Sequence, residues 1–438
     1  MCCVKELMEL MSIYSVDCGL NVISNLKIHN AEAALSFVVG DVSLQNVEIV
    51  SSVTALSLAS KASLRLLNCK FYKNQFAVNA EDIGQVNISS CAFERNQNAL
   101  LLRGVPLVDV DDSLFSDNTQ GLSVSASNSH TAIFIKRSRF VDNTIEMTAG
   151  QNADLSTSVE ECLFNSSKLV VIVYRRPRIA SIVVANSTFQ SSGVRISASP
   201  TSQNLNLSIT GCSFRRLFYQ AVVELSAPSI HTVTLADNIF EENRRGPCVK
   251  VSVPASSSYI IPGLINIVGN SFTNHSGANV IVIDEYDDHA YHHVQLRRNV
   301  FQNPLCPFEI EIQWLWRNGY TVNASENWWG STNRTYIAER ISDVFLDSRK
   351  AKVSITSIYS DPEMTQLEVF LDLRTWNVTD GKLVGGELDR NVTLTSSNAS
   401  YFVSKTIYIP RGFQLQLKEN VTLNFAQQRG IIVEGTCA

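Results

Sequence analysis

Residues 64–71 read LRLLNCKF, residues 86–93 read VNISSCAF and residues 108–115 read VDVDDSLF. Each stretch ends on a phenylalanine, carries a small side chain two places before it, and carries apolar side chains five and seven places before it. The residue between the two apolar positions is polar in all three stretches. This alternation is typical of a β-strand that buries one face. Each stretch therefore predicts a half-buried strand that leads through a turn to an aromatic residue.

The same pattern recurs at intervals of 22 to 32 residues along most of the chain. Its aromatic position is filled by Phe71, Phe93, Phe115, Phe140, Phe164, Phe189, Phe214, Phe240, Phe272, Phe301 and Trp329. Two places earlier stand Cys69, Cys91, Ser113, Ser138, Cys162, Ser187, Cys212, Asn238, Asn270, Asn299 and Asn327. If the repeats stack in line, the last four side chains are expected to hydrogen-bond amide to amide along the stack.

A second short apolar run follows most of the aromatic residues after a polar turn. A fixed period of 20 to 50 residues indicates a solenoid, a propeller or another repeat array. A propeller blade needs about 40 residues, and the Leu-x-x-Leu-x-Leu pattern of leucine-rich repeats does not recur here. We therefore predict an all-β chain folded as a right-handed, single-stranded parallel β-helix of the pectin-lyase-like type.

The repeat predicts three segments. The β-helix is expected over residues 15–360, with a closure near 327–347 made by NWWG at 327–330 and an amphipathic helix at 335–347, because the end of a solenoid needs a cap. Residues 361–438 lack the aromatic column and predict a linker and the truncated start of a second β-helix module. Residues 1–14 are an uncertain N-terminal segment, since their charged residues do not suit a signal peptide. We interpret the chain as part of a longer protein.

Composition excludes several functions. The 438-residue chain has a net charge of -5 and no cluster of Lys and Arg, so no nucleic-acid partner is expected. No apolar run approaches the ~18 residues of a membrane-spanning helix, so contact with a membrane would require regions outside this chain. None of the ten cysteines forms a Cys-x-x-Cys pair, which argues against structural zinc. The cysteines in the repeat are interpreted as packed thiols.

Asn-x-Ser/Thr sequons indicate a secreted chain. Three of them, at Asn87, Asn206 and Asn323, fall at outward positions of the predicted strands, where a glycan would not enter the core. We predict an extracellular glycoprotein whose acceptor sites are Asn87, Asn165, Asn186, Asn206, Asn274, Asn323, Asn333, Asn377, Asn391, Asn398 and Asn420.

The best candidate for chemistry is DEYDDHAYHH at residues 284–293. Its Asp284, Asp287, Asp288 and His289 are candidate ligands for a divalent cation. The alternative is a solvent-exposed loop, which we favour because the equivalent stretches at 197–204 and 254–262 are loops without such residues.

Two other charged clusters are weighed in the same way. Asp109, Asp111 and Asp112 have no acidic or histidine partner at the matching positions one coil away, so they predict a solvated face. Arg175, Arg176 and Arg178 are interrupted by proline and predict a turn. No phosphate loop or nucleophile elbow is present. The sequence therefore predicts no catalytic residue, no cofactor and no enzymatic activity.

Several stretches together resemble the bark beetle-like family of animal surface proteins. They are NWWG at 327–330, YIAERI at 336–341, LVGGEL at 383–388, NVTL at 391–394 and GIIVEGT at 430–436. The resemblance implies large single-pass proteins of epithelia, in which β-helix modules accompany scavenger-receptor and lectin-like domains and help to organise cell junctions. It carries over no catalytic residue. The accessory domains and the membrane span are expected outside this chain.

The resemblance implies a non-enzymatic segment that acts in cell–cell adhesion or junction organisation, on the extracellular face of the plasma membrane at cell junctions. The expected partners are other cell-surface or junction proteins, with glycans as a second class. The alternative is a carbohydrate-binding or polysaccharide-cleaving β-helix protein that uses residues 284–293. A purely structural spacer between other domains is a third hypothesis.

Overall fold

The chain folds as a right-handed parallel β-solenoid of about 15 turns, which confirms the fold class predicted from the repeat. The computed structural model describes residues 14–15, 19–59, 61–127, 130–150, 153–174, 179–199, 205–218, 220–227, 230–253, 263–285, 293–313, 321–370, 372–379, 382–395 and 400–434. Each turn visits three parallel sheets in order, here called sheets 1, 2 and 3.

Sheet 1 has 14 strands in the described part of the chain: Tyr14–Ser15, Ala33–Phe37, Thr54–Ala59, Phe76–Glu81, Asn98–Arg103, Gln120–Ala126, Thr144–Ala149, Lys168–Val173, Gly193–Ala198, Val223–Ser226, Val249–Val253, Ile281–Glu285, Ile310–Ile312 and Ile341–Ser342. Sheet 2 also has 14: Asn21–Ser24, Val42–Gln45, Ser63–Leu67, Gln85–Ser89, Leu107–Asp111, Thr131–Lys136, Leu155–Glu160, Ala180–Ala185, Leu205–Thr210, Ile230–Ala236, Leu264–Val268, His293–Arg297, Thr321–Asn323 and Lys352–Ser354.

Sheet 3 carries the aromatic column on short strands, of which 12 are described: Lys27–His29, Glu48–Val50, Lys70–Tyr72, Ala92–Glu94, Leu114–Ser116, Arg139–Val141, Leu163–Asn165, Thr188–Gln190, Ser213–Arg215, Ile239–Glu241, Ser271–Thr273 and Val300–Gln302. Each strand has three residues because the chain turns a corner on both sides of it. In one coil these corners are Asn68 and Lys73, whose φ angles are 54° and 57°. Left-handed residues at both corners allow the chain to turn into and out of sheet 3 within a few residues.

The phenylalanines of sheet 3 form one continuous stack through the core. From Phe71 to Trp329, neighbouring ring centroids lie 4.5 to 5.3 Å apart with nearly parallel planes. The stack arises because the parallel strands pair in register, with Phe93 directly between Phe71 and Phe115. Each ring is therefore covered on both faces by the rings of the adjacent coils, and none of the stacked rings is exposed to solvent by more than 1%.

The C-terminal end of the stack differs in one respect from the prediction. A helix covers it, but the helix spans Arg334–Glu339 and not 335–347. The chain leaves the helix at Arg340, and Ile341–Ser342 pairs with Ile310–Ile312 as the last strand of sheet 1. The apolar spacing that predicted a longer helix is real, since Ile337, Ile341 and Val344 are all buried, but they reach the core from a helix, a strand and a turn.

After residue 354 the pairing changes. Ser357–Tyr359 pairs antiparallel with Leu367–Val369, and Asn377–Thr379 pairs antiparallel with Leu383–Glu387. Parallel pairing then resumes among Leu383–Glu387, Ser400–Ile409, Thr422–Phe425 and Ile431–Val433, and between Val392–Leu394 and Leu415–Leu417. These strands enclose a separate apolar cluster that includes Trp376, Val403 and Ile407. We call residues 372–434 the C-terminal unit; the domain limits given above stay predictions.

The stack predicts a large loss of stability when one ring is removed. Phe189 is fully buried and lies 4.5 Å from the ring of Phe164 and 4.7 Å from that of Phe214. We expect Phe189→Ala to lower the free energy of unfolding by about 3 to 5 kcal/mol, measured by urea denaturation. The matched control is Gln190→Ala, an exposed neighbour that should change it by less than about 0.5 kcal/mol. Equal effects of the two substitutions would argue against the stack as the main source of stability.

Candidate functional site

The interior of the solenoid holds two columns of polar side chains, one on each side of the phenylalanine stack. The first column stands two places before each aromatic residue, as the sequence pattern had marked. Asn238, Asn270, Asn299 and Asn327 lie in line, and each amide donates to the next amide oxygen at 2.9 to 3.1 Å. The same oxygens accept the backbone N–H of the column residue in the preceding coil, at 2.8 to 3.0 Å. The column thus satisfies N–H groups that the corner directs into the core.

Serine and cysteine perform the same task in the earlier coils. The N–H of Cys91 donates to the hydroxyl of Ser113 at 3.1 Å, and the N–H of Cys162 donates to Ser187 at 3.1 Å. Six cysteines are described, all as buried free thiols: Cys69, Cys91, Cys162, Cys212, Cys248 and Cys306. Burial raises the pKa of the Cys162 thiol to about 12 and that of Cys212 to about 11, so both are neutral at physiological pH. Cys2, Cys3, Cys18 and Cys437 lie outside the described residues.

The second polar column was not predicted. It stands three places after the aromatic residue, at Asn74, Asn96, Asn118, Asn143, Ser167 and Ser192. The N–H of Asn96 donates to the Asn118 oxygen at 2.8 Å, and the Asn96 amide donates to the carbonyl of Phe71 at 3.1 Å. The sequence did contain a signal, because polar side chains recur at this fixed distance after the aromatic residue.

The second column ends in a buried ion pair. The Asn303 amide donates to one carboxylate oxygen of Glu309 at 2.9 Å, and the Arg340 guanidinium lies 3.0 Å from the other. Burial raises the pKa of Glu309, against the opposing effects of Asn303 and Arg340. Arg340 also donates to the carbonyls of Asn303 and Cys306. Each of these groups is held by structural hydrogen bonds, so this cluster serves to terminate the column.

Loss of one ladder amide should destabilise the fold. Asn270→Ala removes the acceptor for the N–H of Asn238 and leaves the carbonyl of Leu235 without its donor. Since each orphaned buried group costs about 1 to 3 kcal/mol, we expect a loss of at least about 2 kcal/mol in urea denaturation. Asn266→Ala on the outward face of the same strand is the control. A loss no larger than that of the control would contradict the proposed role of the ladder.

His275 makes the stability depend on pH. It occupies the second column, and burial lowers its pKa from 6.5 to about 4. Because the unfolded chain then binds a proton at higher pH than the folded chain, stability should be complete above pH 6.5 and fall as the pH drops towards 4. We expect a loss of about 3 kcal/mol over this window. His275→Asn, which restores the usual side chain of the column, should abolish that component. An unchanged pH profile in the variant would contradict this.

The predicted cation-binding run lies mostly outside the described residues, which exclude Asp287, Asp288 and His289. Asp284 is described: it follows the outward Val282 on the strand Ile281–Glu285, pairs in register with Ser252, and is only 4% exposed. Within the described ranges, no group of three or more His, Cys, Asp or Glu side chains is placed to hold a metal ion. Metal binding at residues 284–293 stays a prediction.

The aspartates of the neighbouring face are separated from one another by basic and neutral partners. Asp109 lies in register between Asn87 and Phe134, and Asp111 forms an ion pair with Arg137. Asp112 occupies a left-handed corner with a φ of 46°. The structure therefore brings no second carboxylate beside this group from the adjacent coils. Arg175, Arg176 and Arg178 lie outside the described residues.

The sequon asparagines lie on the surface. Asn87, Asn165 and Asn206 are partly exposed, and the more exposed ones are Asn186, Asn274, Asn323, Asn333, Asn377, Asn391 and Asn420. Asn398 is outside the described residues. The ten buried asparagines, by contrast, all lie outside sequons: Asn74, Asn96, Asn118, Asn143, Asn238, Asn243, Asn270, Asn299, Asn303 and Asn327. In the first column the aromatic residue two places on excludes a sequon, but the repeat imposes no such exclusion on the second.

Comparison with known proteins agrees with this architecture. The sequence model of the family described as "Right handed beta helix region" matches residues 12–164. The chain is a right-handed β-helix protein. It is similar to Protein bark beetle of Drosophila melanogaster, with 28% identity over 134 residues. That match covers 27% of this chain and only 4% of the fly protein. No solved structure gives a significant match. In the described residues, no helix has both the length and the apolar character needed to cross a membrane.

Proposed function

We propose that this chain is a non-enzymatic, extracellular β-helix segment of a cell-surface protein that acts in cell–cell adhesion and in the organisation of epithelial junctions. The observation that carries the proposal is the segregation of asparagines, with every described sequon at the surface and the buried amides outside sequons. Such a surface accepts N-linked glycans at many points without disturbing the core.

The shape of the molecule suits a scaffold. At about 4.8 Å between neighbouring strands, the 14 strands of sheet 1 extend roughly 60 Å along the axis. Ion pairs join adjacent coils across the outer surface, as between Lys136 and Glu160 or between Arg215 and Glu241. These pairs contribute little stability individually because they are exposed. They do leave a surface of mixed charge, which suits contact with several partners over attraction to one polyanion.

The similarity to Protein bark beetle supports the same proposal, although it covers a small part of that protein. The proposed absence of enzymatic activity rests on the use of the polar interior: its amides, hydroxyls and thiols are engaged in the two columns that satisfy the backbone. Partners would therefore be recognised by the outer faces and loops, and we expect them to be other cell-surface proteins, with glycans as a second class.

The test is secretion and adhesion of the chain itself. Fused to a secretion signal and a membrane anchor in non-adhesive insect cells, the chain should carry N-glycans at the surface sequons, read by mass spectrometry after glycosidase treatment. The transfected cells should aggregate with one another or with epithelial cells. Cells that display an unrelated β-helix protein of similar length are the control.

Two outcomes would overturn the proposal. One is a secreted, folded chain whose sequons stay unglycosylated and whose cells aggregate no more than the control cells. The other is release of oligosaccharides when the purified chain is incubated with a panel of polysaccharides, provided that Asp284→Asn abolishes the release. That second result would establish the polysaccharide-cleaving alternative.

A further inference from the structure

A cavity of about 310 Å³ lies between the cap helix Arg334–Glu339 and the C-terminal unit. Its walls come from the helix, from residues 373–377, from the strand Leu383–Glu387, and from a bend in Ser400–Ile409. Its volume is at the lower end of the roughly 300 to 1,000 Å³ that is usual for small-ligand sites. The sequence analysis did not identify it, because its walls come from segments that are separated along the chain.

The charge in this cavity has one sign. Its lining contains Arg334, Arg374 and Lys405, and no acidic side chain among the described residues lines it. Hydroxyl groups of Thr335, Thr375 and Ser404 complete the polar part of the lining. A concave surface with three cations and several hydroxyl groups favours a negatively charged ligand.

The two arginines already have counter-ions, whereas the lysine has none in the described structure. Arg334 forms an ion pair with Glu368, and Arg374 lies 2.7 Å from the carboxylate of Asp343. Lys405 is half-buried and makes no ion pair with any described residue. Burial, followed by repulsion from Arg374, lowers the pKa of Lys405. An uncompensated ammonium in a concave, partly desolvated site is unfavourable unless a ligand supplies the missing negative charge.

The backbone around Lys405 is built to hold it at this position. The register between Leu383–Glu387 and Ser400–Ile409 shifts at Gly385, opposite Ser404 to Thr406. A Cβ atom at Gly385 would lie 2.5 Å from the carbonyl oxygen of Lys405, so only glycine allows the two strands to approach so closely. Arg374 is fixed in the same wall by Asp343 and by stacking over the Phe345 ring. Its Nε is buried and has no hydrogen-bond partner in the described structure.

We propose that the cavity lined by Arg334, Arg374 and Lys405 binds a tetrahedral oxyanion, a sulfate or phosphate group, with the Lys405 ammonium as its principal counter-charge. Donors on several sides suit the three or four oxygens of such a group better than the two oxygens of a carboxylate. The oxyanion can be a free inorganic ion or the sulfate of a glycan. This site is independent of the adhesive role proposed above.

The experiment measures binding to the full chain by isothermal titration calorimetry. The probes are inorganic sulfate, inorganic phosphate, a sulfated disaccharide and its desulfated counterpart, all at constant ionic strength. The wild-type chain should bind at least one sulfated or phosphate probe and should bind the desulfated disaccharide at least tenfold more weakly than the sulfated one. Lys405→Gln should lower the affinity at least tenfold, while Lys418→Gln, an exposed lysine of the same unit outside the cavity lining, should leave it unchanged.

A melting-temperature measurement guards against misfolding of the variant. Lys405→Gln removes an uncompensated charge, so its melting temperature in chloride should equal or exceed that of the wild type. Sulfate should raise the melting temperature of the wild type but not that of Lys405→Gln. Equal binding of inorganic sulfate and the sulfated disaccharide would identify a free anion as the ligand, and preference for the disaccharide would identify a glycan. Absence of binding, or undiminished binding by Lys405→Gln, would overturn the proposal.

Discussion

The structure depends on satisfying two backbone N–H groups that every coil directs into its core. They arise at the left-handed corners on either side of the sheet 3 strand, such as Asn68 and Lys73. A buried N–H without an acceptor is costly, so a polar side chain from the next coil must lie at the right height. Asparagine, serine or cysteine supplies it, and the phenylalanine between the two columns fills the remaining space.

This constraint explains why the coils are alike inside and different outside. Inward positions must match the positions above and below them, because rings stack on rings and amides bond to amides. Outward loops carry no such obligation, and they differ in length from coil to coil, which spreads the interval between aromatic residues over 22 to 32 residues. Functional diversity in this molecule is therefore confined to its surface and its ends.

The C-terminal end shows how such columns are terminated. The Trp329 ring covers Phe301, the Glu309–Arg340 pair closes the second column, and the cap helix covers the core. Beyond them, Asp343 and Arg374 join the cap to the C-terminal unit, and Lys352 bonds to Glu387 at 2.5 Å. This joint is rich in buried charge. The cavity beside Lys405 lies within it and is where the charges are least balanced.

The sequence by itself determined the repeat, the inward and outward faces of the strands, the aromatic stack and the first polar column, since each follows from spacing along the chain. Only the tertiary structure decided the length of the cap helix, the engagement of the second column and the cavity at the joint. Arg340 leaves the helix because Ile341–Ser342 gains more by pairing with sheet 1. Arg334, Arg374 and Lys405 come together from distant segments, and the distances between such segments are set by packing, which no local pattern records.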